Sequence, residues 1–379
     1  MDKKSQPILL LATSQDWGGV QVFLFDLAKE MKGRDLPVIV CAGKPEGELG
    51  ARCHEAGIEF IGLEHMMRDI NPVSNLLALF ELVKLFKRLN PQVVHLNSSM
   101  MGAVGSLAAT VAGVKNTVYC IGGWVFNEDI PSWKKNLYIW TEKISARFKD
   151  TIIVVHPGDE ELAKKLKIKP KKELITIPNG IRANIFLNNL LTREEVRDEL
   201  GIDKTATIIG TVANAYPPKN LFWYLEVCKK IHDRDRQIFF VIIGEGPQFA
   251  ELKQKRDALG AQDYVLLTGR RMDAPKLYNA FDVFVLPSSK EGMSLTLLEA
   301  MAAGLACVAT DVGANEWMLK DGAGIIVPVN DSEEMSNQIL KLCKDENLRQ
   351  EIGAKAKESV NKRFPLQDTL QRHIDVLIR

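Results

Sequence analysis

The residues best suited to do chemistry stand in one short run, Glu291-Gly292-Met293-Ser294-Leu295-Thr296-Leu297-Leu298-Glu299. Glu299 is the lone charge in an otherwise uncharged stretch, Met293–Thr310. A buried ionised carboxylate is costly unless it is hydrogen-bonded or paired. A structural ion pair to a distant basic residue would satisfy Glu299, and so would the hydroxyls of a bound ribose; periodicity leaves both open. Ser294 has N-cap chemistry, and Leu295–Ala303 is built of strong helix formers. The backbone N–H groups from about Ser294 to Leu297 would then stand at a helix start, where hydrogen bonding and the helix dipole both favour phosphate. Gly292 lets backbone come close to a ligand. The chemistry suggested is the binding of a nucleotide diphosphate.

The run needs a scaffold, and the sequence supplies one. It follows an apolar strand, Val283–Leu286, and the turn Pro287-Ser288-Ser289, so it lies at a strand's carboxyl end. Short β-branched runs alternate with amphipathic helical segments along most of the chain. The first half predicts strands at Ile8–Ala12, Val38–Cys41, Glu59–Leu63, Val93–Leu96, Thr117–Ile121, Ile152–Val155 and Leu174–Ile177, with helices such as Asn75–Leu89 and Trp133–Phe148. The second half repeats the pattern at Thr207–Val212, Ile238–Ile243, Tyr264–Leu267, Val283–Leu286, Cys307–Thr310 and Gly324–Val327. Fully apolar strands joined by crossover helices predict an α/β fold of parallel sheets covered on both faces. Pro178-Asn179-Gly180 and the polar segment Arg182–Lys204 mark the divide, with a short helix at Thr192–Leu200 whose Thr192 and Glu195 have capping-box spacing. Everything from Ser332 to Arg379 has helical patterning. Two doubly wound domains facing a cleft hold ligands at the carboxyl ends of their strands.

Composition narrows the class. The 379 residues exceed one ordinary core, and 46% hydrophobic with 26% charged is a globular balance. A net charge of +1 gives no reason to expect a nucleic acid partner. Cys41, Cys53, Cys120, Cys228, Cys307 and Cys343 are scattered, and read as reduced thiols of a cytoplasmic protein. The opening Met1-Asp2-Lys3-Lys4 leads into an apolar run too short for a signal peptide. Gly304 interrupts Met293–Thr310, which reads as a buried helix and a buried strand, not a membrane span.

Glu291 and Glu299, followed by Ala300-Met301-Ala302-Ala303-Gly304, closely resemble the E-x7-E signature of the retaining glycosyltransferases of GT-B fold, in particular glycosyltransferase family 4. The likeness extends to Gly269-Arg270-Arg271 with Asp273, Leu277-Tyr278, Asp282–Ser288, and Thr310-Asp311-Val312-Gly313 with Glu316. Gly18-Gly19-Val20, Pro178-Asn179-Gly180 and Gly244-Glu245-Gly246-Pro247 also fall where that family places them. The resemblance spans nearly the whole chain. It implies two Rossmann-like domains, an acceptor-side one over 1–178 and a donor-binding one over 179–362, with a C-terminal helix of about 363–379 packing back on the first. Glu291 would bind hydroxyls of the donor sugar and Glu299 the ribose, while backbone N–H groups near Gly292, Met293, Ser294, Leu295 and Thr296 would bind the diphosphate. Lys219, in Pro217-Pro218-Lys219-Asn220, matches the diphosphate-binding lysine; just past a strand, it stands where it can reach a phosphate. Gly18 and Gly19 would let a loop approach the phosphates or the acceptor. The implied activity is transfer of a hexose or N-acetylhexosamine from a UDP- or GDP-sugar to a glycan or lipid-linked acceptor in surface polysaccharide or glycoconjugate synthesis. No cofactor or metal is implied.

Two positions depart from the family. Asn214 stands where an arginine usually contacts the diphosphate, and Arg270 or Arg271 would have to supply that charge. Gly122 stands where a histidine is frequent, and His156 follows the next strand. Front-face displacement, in which the leaving phosphate takes the acceptor's proton, needs no carboxylate nucleophile. The alternative is a catalytically silent homologue that binds nucleotide-sugar or glycan. An NAD-dependent dehydrogenase is excluded because Gly18-Gly19 lacks the G-x-G-x-x-G continuation.

The triplet Asp233-Arg234-Asp235 closes a helix before a strand, away from the ligand end, and reads as a polar turn, not a metal site. The six histidines show no zinc spacing. Lys164, Lys165, Lys167, Lys169, Lys171 and Lys172 form a basic cluster, and Trp133, Lys134, Lys135, Tyr138 and Trp140 form an aromatic-basic helix. A solvated face with core aromatics is the plain reading; peripheral contact with an anionic membrane, at the inner face, is the sharper one.

Overall fold

The computed structural model describes residues 6–44, 46–67, 72–128, 130–203 and 205–379. The chain forms two compact units, one running up to Pro178 and resuming over Asp368–Arg379, the other spanning Asn179–Gln367. The first holds a sheet of seven parallel strands: β1 (Ile8–Ala12), β2 (Val38–Gly43), β3 (Glu59–Leu63), β4 (Val93–Asn97), β5 (Asn116–Ile121), β6 (Thr151–Val154) and β7 (Glu173–Thr176). Their order is β3-β2-β1-β4-β5-β6-β7. Central strands β1 and β4 are buried at every residue, as expected where helices cover both faces. Leu9 and Leu11 meet Leu82, Phe86, Leu96 and Tyr119 in one core.

The second unit repeats the design with β8 (Thr207–Val212), β9 (Ile238–Ile243), β10 (Val265–Gly269), β11 (Val283–Leu286), β12 (Ala306–Thr310) and β13 (Ile325–Val327). All pairings are parallel, in the order β10-β9-β8-β11-β12-β13. Chain order reverses direction between β8 and β11, so the loops leaving those two strands diverge and open a crevice at their carboxyl ends. Strand limits differ from the sequence reading by a residue or two at some ends; β10, for example, continues to Gly269.

Thr192 caps the helix Arg193–Leu200 in a complete capping box with Glu195. Arg197 of that helix, fully buried, reaches Asp282 at 3.3 Å, and Asp282 also accepts from the Ile208 N–H at 2.8 Å. The end of the chain is three helices, Ser332–Lys344, Glu346–Arg363 and Leu366–Ile378. The return to the first unit begins at Asp368, not near residue 363. Ile181 donates to the Phe364 carbonyl at 2.9 Å and accepts from the Leu366 N–H at 3.2 Å, which holds that segment in the second unit. Beyond it, Thr369 donates to the Pro178 carbonyl at 2.9 Å, and His373 packs on Phe23 and His95.

Met293–Thr310 resolves into the helix Leu295–Ala302, a left-handed turn at Gly304 and β12. Among the described residues no helix is long and apolar enough to cross a membrane. Asp233 ends a helix and pairs with Lys229 at 2.6 Å and Arg236 at 3.3 Å, the polar-turn role expected of it.

Candidate functional site

The crevice of the second sheet brings together Lys219 and Glu291, two of the charged residues singled out in the sequence. After β8 the chain turns through Pro217–Lys219, and after β11 through Ser288–Gly292. The Ser289 N–H donates to the Pro218 carbonyl at 2.8 Å, fastening one loop to the other. Lys219 Nζ then lies 2.6 Å from Glu291 Oε1, which also accepts from Ser288 Oγ at 2.6 Å. The Glu291 side chain is 8% exposed and Lys219 26%, so this ion pair is largely shielded from solvent while its cation keeps an open side. An anion arriving there meets an ammonium group already positioned, and the carboxylate it displaces can accept hydroxyl hydrogen bonds.

The backbone beneath Glu291 is clamped from two sides. Gly313 has φ of 55°, and a Cβ there would stand 2.4 Å from the Glu291 carbonyl oxygen, so only glycine lets this turn close. The Ala314 N–H reaches the Gly292 carbonyl at 2.8 Å, and Thr310 Oγ1 reaches that of Ser288 at 2.5 Å. Asn179 holds the far end, with its Nδ2 on the Met293 carbonyl at 3.1 Å and its N–H on Met293 Sδ at 3.2 Å. Ser294 caps the helix through the Leu297 N–H at 3.3 Å, so one of the N–H groups at this helix start is engaged by the cap. Leu295 and Thr296 form its first turn.

Glu299 lies one turn further along. Its Oε2 accepts a 2.6 Å hydrogen bond from the Tyr278 hydroxyl, which comes from the short turn Tyr278–Ala280. Burial raises the Glu299 carboxyl to about 7, against a smaller lowering by the tyrosine. The partner open in the sequence is thus a neutral donor, not a basic residue.

Asn214 is exposed after β8, close to the loop from β9. Gly244, at φ of 145°, brings that loop against the Ala213 carbonyl, and Ala215 donates to Glu245 O at 2.9 Å. Arg271 is bound by Asp273 at 2.7 Å and Glu199 at 2.6 Å, while Arg270 is exposed beside it. Gly18 and Gly19 belong to the first unit, where Gly18 precedes the helix Gly19–Gly33 in an extended conformation open to any residue. Gly122 and His156 follow β5 and β6 of that unit, and the His156 ring lies 3.3 Å from Asp159. Ser288, Gly313, Asn179 and Tyr278 all stood in motifs quoted from the sequence, but none had an assigned contact there. Among the described residues no group of three or more His, Cys, Asp or Glu side chains is placed to hold a metal.

Two family models divide the chain between them: Glycosyltransferase Family 4 matches residues 17–184 and Glycosyl transferases group 1 matches 192–359. The Escherichia coli UDP-Gal:alpha-D-GlcNAc-diphosphoundecaprenol alpha-1,3-galactosyltransferase is 30% identical over 75% of this chain and 74% of its own. The chain is a family 4 glycosyltransferase. This transferase is also 27% identical, over 88% of its length and 89% of the relative's, to the Campylobacter jejuni N,N'-diacetylbacillosaminyl-diphospho-undecaprenol alpha-1,3-N-acetylgalactosaminyltransferase. Its fold is GT-B: Anabaena HepE, solved in complex with UDP-glucose, superposes with a TM-score of 0.83 at 20% identity, covering 98% of this chain and 99% of that one. The family models and the named relatives make the transferase an enzyme of class EC 2.4.

Proposed function

We propose that the transferase moves a hexose or N-acetylhexosamine from a UDP-sugar, with retention of configuration, to a lipid-linked diphosphate acceptor during surface polysaccharide synthesis. The observation that carries the reading is the Lys219–Glu291 pair at the β8/β11 crevice, with the half-buried Glu299 on the helix that starts there. Lys219 and the N–H groups near Met293–Thr296 bind the diphosphate, Glu291 turns to the sugar hydroxyls, and Glu299 takes the ribose. The leaving phosphate accepts the acceptor's proton, so no metal and no carboxylate nucleophile take part. Uridine is favoured over guanosine by the donor named for the E. coli relative, and a lipid diphosphate acceptor by both relatives' names. The test is release of UDP from UDP-galactose, UDP-N-acetylgalactosamine and UDP-glucose, with GDP-mannose as control, with and without undecaprenyl-diphosphate-linked sugar. UDP release stimulated by the lipid acceptor, with an α-linked product, is expected. Donor binding without UDP release under any condition would overturn the reading.

The reading includes contact of the first unit with an anionic bilayer surface. The helices Pro72–Leu89, Ser99–Ala112 and Ser132–Ala146 pack one against the next. They expose Val73, Leu76, Phe80, Val111, Trp133 and Trp140 among other large apolar side chains, with Phe80 at 63% and Trp133 at 65%. The exposed charges on these helices, Lys84, Lys87, Arg88, Lys134 and Lys135, are all positive. Their two acids are used internally: Glu81 accepts from the Glu64 and His65 N–H groups, and Glu142 pairs with buried Lys149. Apolar side chains flanked by cations suit the headgroup layer of an anionic membrane. The lysine cluster suggested by sequence is partly committed elsewhere, with Lys164 on Glu160 and Lys172 on Asp150. Co-sedimentation with phosphatidylglycerol vesicles but not phosphatidylcholine vesicles is expected, and its loss in a Phe80→Ser/Trp133→Ser/Trp140→Ser variant that still hydrolyses donor. Equal sedimentation of variant and parent would remove this surface.

A further inference from the structure

We infer that Tyr278 is a positioning residue of the donor site: its hydroxyl fixes Oε2 of Glu299, so the carboxylate is held in one rotamer with Oε1 left for the ribose. The inference rests on the assignment of Glu299 to the ribose and deepens it. Tyr278 is fully buried, gripped edge-on by Phe186 at 5.6 Å and Phe281 at 5.9 Å and tilted on Phe284 at 5.8 Å. A ring so confined cannot swing, so its hydroxyl is a fixed point. It sits 2.6 Å from Glu299 Oε2 and 3.3 Å from the Thr296 carbonyl of the helix's first turn. One phenol therefore holds both the carboxylate and the helix turn expected to face the diphosphate. Among the described residues Oε1 has no protein donor, whereas Oε2 is taken.

This arrangement has a consequence for pH. Burial drives the Glu299 carboxyl up to about 7, and the tyrosine hydrogen bond opposes that rise. Other ionisable neighbours are few. Cys307 of β12 couples to Tyr278, the helix Ala183–Asn188 packed on this helix carries no charge, and on the helix Glu346–Arg363 Lys357 packs at Gly304. Ribose hydroxyls donate best to the ionised carboxylate, so donor binding favours loss of the proton. Donor affinity in the parent protein should strengthen as pH rises through about 7. Removing the phenol should push that inflection to higher pH, because the opposing hydrogen bond is gone.

The experiment measures KM for the UDP-sugar and kcat from pH 6 to 9 in the full-length parent, Tyr278→Phe and Glu299→Gln. Expected for Tyr278→Phe is a KM about ten-fold higher at pH 7, kcat nearly unchanged, and a deficit that shrinks toward pH 9 as Glu299 ionises. Selective 3-fluorotyrosine at position 278, a stronger donor of the same shape, should move the inflection the other way, and it serves if Tyr278→Phe is poorly folded. A deficit equal at every pH, or none, would reduce Tyr278 to packing and overturn the inference. Glu299→Gln separates the two layers. If it binds donor like the parent, the ribose assignment fails; if it loses affinity and the pH inflection while Tyr278→Phe keeps both, only the positioning role fails.

Discussion

The two sheets share one strand order up to the sixth strand, yet they carry different chemistry at their carboxyl ends. In the second, two carboxylates are each met by a partner: Glu291 by the Lys219 cation and Glu299 by the neutral Tyr278 hydroxyl. In the first, the ends of β1 and β4 carry mostly neutral groups, with Thr13 bonded to Ser98, Gln15 to the Lys44 carbonyl and Asn97 to the Leu11 carbonyl at 3.2 Å, while Asp16 accepts from Ser14 at 2.6 Å. Its buried ionisable groups pack the interior instead, as with Lys149 over the Tyr119 ring and His95 against His373. A repeated scaffold therefore does not imply a repeated site. Side chains on a few loops decide which crevice takes the anionic nucleotide.

The largest way to break this contrast is Lys219→Ala. It removes the cation expected to meet the diphosphate and leaves Glu291 partly buried without its partner. Transfer is expected to fall about 100-fold or more, at least ~2.7 kcal/mol, read as kcat/KM for donor. Glu299→Gln should cost about ten-fold, ~1.4 kcal/mol, mostly in donor KM. A separate effect, on stability and not on transfer, belongs to the first unit. Burial depresses both His95, to about 3, and His373, so both imidazoles are neutral when folded. The unfolded chain takes up their protons below about 6.5, so stability is lost as pH falls from there toward 3, by up to ~1.4 kcal/mol per histidine per pH unit. His373→Phe should therefore show a smaller drop in Tm between pH 7.5 and 5 than the parent, by differential scanning calorimetry. The smallest effect expected is none: dialysis against EDTA should leave transfer unchanged, and a loss restored by Mg²⁺ or Mn²⁺ would put a metal into the donor chemistry.

Strands buried on both faces write themselves as unbroken apolar runs, which is why both sheets were legible from periodicity. The run Glu291–Glu299 was legible for a related reason, since one carboxylate in an apolar helix must have a use. What supports it was not. Asn179 on Met293 and Gly313 beneath Glu291 join positions far apart in sequence, and no local pattern encodes them. The partner of Glu299 could not be found by looking for a positive charge, because Tyr278 satisfies it without one. Arg271 shows the converse: a plausible phosphate ligand in sequence, it is engaged by Glu199 and Asp273. The return of the chain at Asp368 escaped for a similar reason, being set by backbone bonds of Ile181 to Phe364 and Leu366.

The most direct test of the donor site is hydrogen exchange on the full-length transferase with and without saturating UDP. Protection is expected to concentrate in Pro217–Asn220 and Ser289–Glu299 of the second unit and to diminish in Lys219→Ala. Protection confined to the ends of β1 and β4 in the first unit would contradict it, as would protection unaltered by the lysine substitution.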